Sequence, residues 1–204
     1  MAFRIITLLC ALALGWSVYE WGRVVWLMRG AQAPEAEFLV YEAGTGGIML
    51  NEFTDYLCDN CTAFSASVAD LRDLHPDLGY TIRPMAWIND ESDKLTRLAF
   101  AAGTQGKFRE IHDAFMERKG QFDDSFLRET FSLYGMNYDA MIERGGQADI
   151  TAMIADNDED AGRLGVGIVP SVMIGNLHVT SRQPIDTATV ADLLPALAQA
   201  RQNR

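Results

Sequence analysis

The stretch IMLNEFTDYLCDNC, residues 48–61, decides how this chain folds. Its first part, Ile48 to Phe53, has the pattern of a short buried strand. Cys58 and Cys61 follow within a few residues and stand three positions apart. Apolar residues then recur at helical spacing, which predicts a helix that begins near Cys58 and ends before His75-Pro76. The residues of that apolar stripe are Phe64, Val68, Leu71 and Leu74.

Two cysteines at this spacing are compatible with a zinc site, a structural bridge or a redox pair. Zinc needs four ligands, and the other candidate ligands, His75, His112 and His178, stand on separate predicted elements. A bridge across two residues closes a very short loop and stabilises a chain little. A redox pair fits better, because the amide groups and the dipole at a helix start favour a thiolate at Cys58. Cys61, one turn further, is placed to attack a mixed disulfide at Cys58, so we expect dithiol chemistry without a metal or another cofactor.

Strands and helices alternate in the first part of the chain, a long block of helices follows, and a strand pair and a helix come last. Strands are predicted at residues 35–41, 78–85, 169–174 and 177–180, the last two joined by the turn Gly175-Asn176. Helical stripes fill the region from Asp93 to Leu164, and a final helix is predicted from Asp186 to Ala200. This order predicts an α/β core that is interrupted by an all-helical insertion.

Three segments of the chain resemble one known family. Residues 52–61, EFTDYLCDNC, are similar to the active-site segment of the DsbA-like branch of the thioredoxin superfamily. Residues 165–176, GVGIVPSVMIGN, resemble its cis-proline strand and turn, and residues 105–115 resemble a helix of its inserted helical domain. More than a hundred residues separate Cys61 from Pro170, which requires the insertion that distinguishes this branch from plain thioredoxin. The resemblance implies a thioredoxin fold with an inserted all-helical domain, and a thiol–disulfide oxidoreductase.

From these features we expect four segments. Residues 1–33 are predicted to be a signal or signal-anchor segment with a hydrophobic helix, and residues 34–90 the first part of the thioredoxin fold with the cysteine pair. Residues 91–163 are predicted to be the helical insertion. Residues 164–204 then complete the thioredoxin fold and include the cis-proline.

The resemblance also implies roles for residues around the cysteine pair. Glu52, six residues before Cys58, matches a buried acid whose raised pKa lets it relay the proton of Cys61. Pro170 matches the cis-proline beside the disulfide, where the backbone of Val169 is available to pair with an extended substrate.

The dipeptide between the cysteines departs from the family pattern. It is Asp59-Asn60, where the strongly oxidising member that names the family has His-Pro. A carboxylate at Asp59 repels a thiolate at Cys58 and raises the pKa of that thiol. We therefore expect Asp59 and Asn60 to tune the site toward a weaker oxidant.

The amino-terminal residues have the composition of an export signal. Arg4 precedes a largely apolar run from Ile5 to Met28, which is long enough to span a bilayer at ~1.5 Å per residue. Ala31-Gln32-Ala33 has the pattern of a cleavage site, but Pro34 follows it directly. We expect an uncleaved anchor in the cytoplasmic membrane with an extracytoplasmic or periplasmic body, and the alternative is a cleaved, soluble periplasmic protein.

The charge of the chain limits its partners. The formal net charge of −11 opposes binding to phosphate backbones, so nucleic acid is not an expected partner. The expected partners are envelope or secreted proteins with thiols or disulfides, and a redox partner protein. The leading prediction is disulfide exchange through Cys58 and Cys61. The alternatives are a non-catalytic binding module or chaperone, and a reductase dedicated to one partner.

Overall fold

A computed structural model describes residues 39–42, 44–45, 47–118, 122–174 and 177–180, together with 195, 197–199, 201 and 202. The predicted anchor at residues 5–28, the turn at 175–176 and most of the predicted final helix lie outside these residues. Residues 197–199 and 201–202 are helical. None of the helices in these ranges is long and apolar enough to cross a membrane.

The described strands form one mixed sheet with the order β1-β3-β2-β4-β5. β2 runs parallel to β3, and the pairs β1–β3, β2–β4 and β4–β5 are antiparallel. The central strand β2 therefore leads from the middle of the sheet directly into the cysteine pair. The strands are β1 (Val40–Glu42), β2 (Met49–Thr54), β3 (Gly79–Pro84), β4 (Ser171–Ile174) and β5 (Leu177–Thr180).

The described helices follow the predicted order, with one of them after β2 and five between β3 and β4. They are α1 (Asp59–Leu74), α2 (Asp90–Gly103), α3 (Phe108–Arg118), α4 (Asp124–Leu133), α5 (Tyr138–Gly145) and α6 (Ala148–Arg163). α2 begins three residues earlier than the predicted helical region, because the Asn89 side chain caps it by accepting from the amides of Glu91 and Ser92. The thioredoxin-like fold with added helices is thus confirmed.

One hydrophobic core joins α1, the sheet and the inserted helices. Alternation along β2 directs Leu50 and Glu52 to one face and Phe53 to the other. Leu50 belongs to a cluster that continues through α1 into the insertion, with members such as Phe64, Leu98, Phe115 and Phe131. Phe53 belongs to a second cluster with Met85, Ala161, Val166 and Met173. Both faces of the central strand are therefore buried, which holds its carboxyl end in place.

A buried polar contact attaches α6 to β3. Arg83 is 4% exposed, and its Nη1 lies 2.9 Å from Oδ2 of Asp160 and 3.2 Å from Oδ1 of Asn157. The Asn157 amide in turn donates to the carbonyl oxygen of Pro84 at 2.8 Å. A buried guanidinium requires such partners, so these contacts define how the last inserted helix sits on the sheet.

Candidate active site

Cys58 and Cys61 form a disulfide at the amino terminus of α1, with their Cα atoms 5.2 Å apart. Cys58 is the N-cap residue, with extended backbone (φ −88°, ψ 107°), and its Sγ accepts a hydrogen bond from the Cys61 amide at 3.2 Å. Cys61 is completely buried, whereas Cys58 is half-buried. Of the two cysteines, Cys58 is thus the one that is partly open to solvent, and it stands where the amides of a first helical turn favour a thiolate.

Asp55 builds the turn that presents Cys58. Its carboxylate accepts from the backbone amides of Leu57 and Trp87, both at 3.0 Å, and from the hydroxyl of Ser92. Its carbonyl oxygen accepts from the Cys58 amide at 3.0 Å. Because the Asp55 side chain is fully buried, these bonds replace its lost hydration and connect the active-site turn to the segment after β3.

The residues before β4 lie at the same end of the sheet as the cysteine pair. The Val169–Pro170 peptide bond is cis. In the β2–β4 ladder Ser171 pairs with Phe53, so Pro170 lies one residue beyond the last pair, at the end of β2 that leads to Cys58. Val169 is half-buried and packs against both hydrophobic clusters. β4 starts at Ser171 and not at Val169 as predicted, because Pro170 has no amide for the ladder.

Glu52 is fully buried on the α1 side of β2. Its two carboxylate oxygens accept hydrogen bonds from the hydroxyls of Ser65 and Tyr80. Burial raises the pKa of Glu52, while those two hydrogen bonds and the charge of Arg72 oppose that rise. Ser65 stands one helical turn beyond Cys61, which places the carboxyl group beneath the first turns of α1.

A groove of about 730 Å³ runs beside the disulfide, between α1 and α3. Its lining starts at the exposed Asp59 and extends along α1 to Arg72. Ser65 and Tyr80, the two hydrogen-bond partners of Glu52, both line it. The buried carboxyl group is therefore separated from the groove by a single layer of hydroxyl groups. The half-buried Asn60 does not line the groove.

Tyr56 and His112 form a buried polar pair under the other flank of this groove. The Tyr56 hydroxyl and Nδ1 of His112 are 3.2 Å apart. Burial lowers the pKa of His112 to about 3, so the imidazole is neutral at physiological pH. Burial, followed by the carboxylates of Asp113 and Asp55, raises the pKa of Tyr56 well above its ordinary value. Both side chains pack with Phe115 or Phe108 and support α3 against the active-site turn.

The structure thus brings Cys58, Cys61, Asp59 and Glu52 together around the first turns of α1, and it places Val169 and Pro170 at the same end of the sheet. Sequence reasoning missed Asp55, although an Asp three residues before a helix-capping residue is a known signal for a local side-chain turn. It also missed Ser65, Tyr80 and Ser92. Within the described ranges, no group of three or more His, Cys, Asp or Glu side chains is arranged to hold a metal ion.

Comparison with known proteins agrees with this geometry. A family model described as a DSBA-like thioredoxin domain matches residues 49–191. A thioredoxin-like oxidoreductase from Silicibacter pomeroyi is 24% identical, covers 83% of this chain and 98% of its own, and has a TM-score of 0.69. The thiol-disulfide exchange protein α-DsbA2 from Wolbachia pipientis is 22% identical over 74% and 82% of the two chains, with a TM-score of 0.61. A periplasmic thioredoxin-like protein from Salmonella enterica serovar Typhimurium is 19% identical over 80% and 90%, with a TM-score of 0.60. None of the curated proteins is significantly similar in sequence.

Proposed function

Since this chain is a thiol–disulfide oxidoreductase of the DSBA-like thioredoxin domain family, we propose that its Cys58–Cys61 dithiol exchanges disulfides with envelope or secreted proteins. The observation that carries the proposal is the asymmetry of the pair. Cys58 is accessible and caps a helix, whereas Cys61 is completely buried one turn further in the same helix. One cysteine is thus positioned to meet a substrate and the other to release it.

The exchange proceeds through a mixed disulfide at Cys58. In the oxidising direction, a substrate thiolate attacks Sγ of Cys58, the Cys58–Cys61 bond breaks, and Cys61 leaves as a thiolate. A second substrate thiolate then attacks the substrate sulfur, Cys58 leaves as a thiolate, and two electrons have passed to the protein. In the reducing direction the same steps run backwards, and Cys61 attacks Cys58 to release the reduced substrate.

Glu52 serves as the proton relay for Cys61. Cys61 is buried, so its thiolate and thiol forms need a nearby group to take or give a proton. The raised pKa of Glu52 allows its carboxyl group to hold a proton nearer neutral pH than an exposed glutamate does. Its hydrogen bonds to Ser65 and Tyr80, which line the groove, give the proton a short route to solvent.

Val169 supplies the backbone contact for the substrate. It precedes the cis bond, lies outside the β4 ladder and is half-buried at the active-site end of the sheet. Backbone groups that a ladder does not use are available for pairing with an extended peptide. This arrangement favours polypeptides over small disulfides as substrates.

Asp59 moderates the oxidising strength. It is exposed at the first position of α1, so its carboxylate interacts with Cys58 through a medium close to water. Two unit charges about 4 Å apart in water repel each other by about 1 kcal/mol, so the effect of an exposed carboxylate is small. Asp59→Asn should therefore lower the pKa of the Cys58 thiol slightly and raise the reduction potential by at most about 22 mV. Redox titration in a defined glutathione or dithiothreitol buffer measures this, and a lower potential in the variant would contradict the role of Asp59.

The site of action follows from the chemistry and from residues 1–33. Disulfide exchange suits an oxidising compartment, and the apolar run after Arg4 is typical of an export signal. The relative from Salmonella is described as periplasmic. We infer a periplasmic or extracytoplasmic body with residues 5–28 as a membrane anchor, which fractionation of the full-length protein, with cleavage mapped by intact mass, tests directly.

Two single-cysteine variants test the exchange mechanism. Reduced Cys61→Ser, mixed with a disulfide-bonded peptide, should accumulate a covalent adduct at Cys58, because no second thiol resolves it. The matched control, Cys58→Ser, should form almost none, since Cys61 is buried. Intact mass spectrometry under non-reducing conditions counts the adducts. Equal adduct formation by the two variants would refute Cys58 as the nucleophile. Exchange should vanish in Cys58→Ser. A wild-type protein that exchanges nothing, and whose client binding persists in Cys58→Ser, would favour a binding module instead.

A further inference from the structure

The α1/α3 groove, defined by its lining from Asp59 to Arg72 on α1 and from His112 to Glu117 on α3, starts at the reactive cysteine. Asp59 directly follows Cys58, and the helix between positions 59 and 72 is about 20 Å long at ~1.5 Å per residue. An extended chain covers that length with about six residues. A polypeptide whose cysteine is bonded to Cys58 can therefore place its flanking residues in this groove without leaving the protein surface.

The rim of the groove is acidic. Asp59, Asp113 and Glu117 line it and are exposed, and the last two stand on successive turns of one α3 face. Arg72 is the only cationic side chain of the described lining. Its guanidinium lies 4.4 Å from the centre of the Tyr80 ring, and its charge acts on the buried Glu52. The neutral His112 adds no positive charge, so the described lining has three carboxylates and one guanidinium.

The floor of the groove is largely apolar and lacks bulky side chains along α1. Ala63, Ala66 and Ala69 face it from α1, opposite Met116 of α3 and beside Ile82 of β3. A volume of about 730 Å³ lies within the range of roughly 300–1,000 Å³ that is usual for ligand sites. An apolar floor under a charged rim suits a peptide that buries aliphatic carbons and keeps a charged head at the edge, as Lys and Arg do.

We propose that the α1/α3 groove docks a cationic, partly apolar segment that flanks the exchanging cysteine of the substrate polypeptide. This proposal rests on the proposed disulfide exchange at Cys58 and names the class of polypeptide that reacts fastest. The carboxylates steer lysine- or arginine-containing segments to the groove and hold them while the mixed disulfide forms. The net charge of −11 acts in the same direction over a longer range.

The test compares three dithiol peptides of equal length that carry Lys, Gln or Glu beside the same two cysteines. Their second-order rates of oxidation by the full-length, disulfide-form protein are measured by acid quench and chromatography. The Lys peptide should react fastest. The double variant Asp113→Asn/Glu117→Gln should slow the Lys peptide by about 3- to 10-fold, as expected for two exposed charge pairs, and the Gln peptide by less than twofold. Raising the ionic strength from about 0.05 to 0.5 M should remove most of the Lys preference.

The matched control is Glu129→Gln/Glu143→Gln, which removes two exposed carboxylates that do not line the groove. If this control slows the Lys peptide as much as the groove variant does, overall charge is responsible and the proposal is wrong. The proposal is also wrong if the groove variant slows all three peptides equally or none of them. A groove-dependent change of oligomeric state in sedimentation would assign the groove to a second copy of this chain, which likewise overturns it.

A binding measurement separates this proposal from the proposed function. In Cys58→Ser/Cys61→Ser, fluorescence anisotropy of labelled Lys peptide should report binding that the groove variant weakens. If the wild-type protein exchanges disulfides with none of the peptides while this binding is observed, the exchange function is refuted and the groove remains a docking surface. Normal exchange without any groove dependence would refute the docking proposal alone.

Discussion

The most direct prediction of the structure concerns Asp55, the buried carboxylate of the active-site turn. Asp55→Ala removes the acceptor of three hydrogen bonds, from the amides of Leu57 and Trp87 and from the hydroxyl of Ser92. We expect a large loss of folding stability and a looser turn before Cys58. The substitution changes neither of the two cysteines nor any residue of α1, the helix that Cys58 caps.

The expected loss is worked out from the surroundings of each donor. Hydrogen bonds to a charged group contribute about 1.5–3 kcal/mol each, which is an upper bound here for two reasons. Trp87 is 37% exposed and Leu57 is half-buried, so water replaces the acceptor at both amides. Ser92 is fully buried but has the carbonyl oxygen of Met85 at 3.4 Å as a second acceptor. Removal of the carboxylate also relieves its desolvation, so we expect a net loss of about 2–4 kcal/mol.

Urea unfolding of the oxidised protein measures this loss in a graded series. Ser92→Ala, which removes one of the three donors, should lower the free energy of unfolding by about 1 kcal/mol. The matched control is Asp123→Ala, because Asp123 caps α4 with one exposed bond to the Phe126 amide at 2.8 Å and typically contributes about 1 kcal/mol. Hydrogen exchange at the amides of Leu57 and Trp87 should accelerate in Asp55→Ala and remain unchanged in Asp123→Ala. If Asp55→Ala destabilises the protein no more than Asp123→Ala does, the structural role of Asp55 is wrong.

Two further predictions concern the pH dependence of stability. Burial raises the folded-state pKa of Glu52, so its contribution to stability is present at acidic pH and is lost as the pH rises above the unfolded value of about 4.5. In urea unfolding, Glu52→Gln should therefore gain stability relative to the wild type as the pH rises from about 4.5 through the raised folded-state pKa of Glu52. A pH-independent difference would contradict the burial of an ionisable group. The contribution of His112 to stability depends on pH in the opposite direction, because its pKa is about 3 in the folded protein and about 6.5 in the unfolded chain. This contribution is present above pH 6.5 and is lost toward pH 3. Between these values, His112→Gln should reduce the rise of the free energy of unfolding with pH by at most about 1.4 kcal/mol per pH unit. An unchanged slope would contradict the burial of a neutral imidazole.

The structural role and the chemical role that we propose at this site belong to different carboxyl groups. Glu52 and Asp55 are both buried carboxylates, but their surroundings differ. Asp55 accepts from two backbone amides and one hydroxyl, whereas Glu52 accepts from two hydroxyls that line the groove. Amides hold their protons, so Asp55 is suited to a structural role. Hydroxyl groups beside solvent can pass protons on, which supports the relay that we propose for Glu52.

Much of the fold can be predicted from local sequence patterns. The apolar stripe behind Cys61 predicted α1 because a helix repeats every 3.6 residues, and the observed helix Asp59–Leu74 agrees. The stripes between Asp93 and Leu164 predicted the helical insertion, and the two short runs after Val169 predicted β4 and β5. Element ends were predicted less well where a single side chain decides them, as at Asn89, which starts α2 by capping it.

Sequence alone determined the redox pair, its place at a helix start and the order of strands and helices, since these depend on neighbours a few residues apart. Only the tertiary structure decided what surrounds the pair. Ser65 and Tyr80 meet at Glu52 from positions 13 and 28 residues away, and Ser92 reaches Asp55 across 37 residues. The groove likewise exists only because α1 and α3, which are far apart in sequence, line the same space. The physical reason is that periodicity specifies which face of an element is buried, whereas the identity of the side chain it meets depends on how the whole core packs.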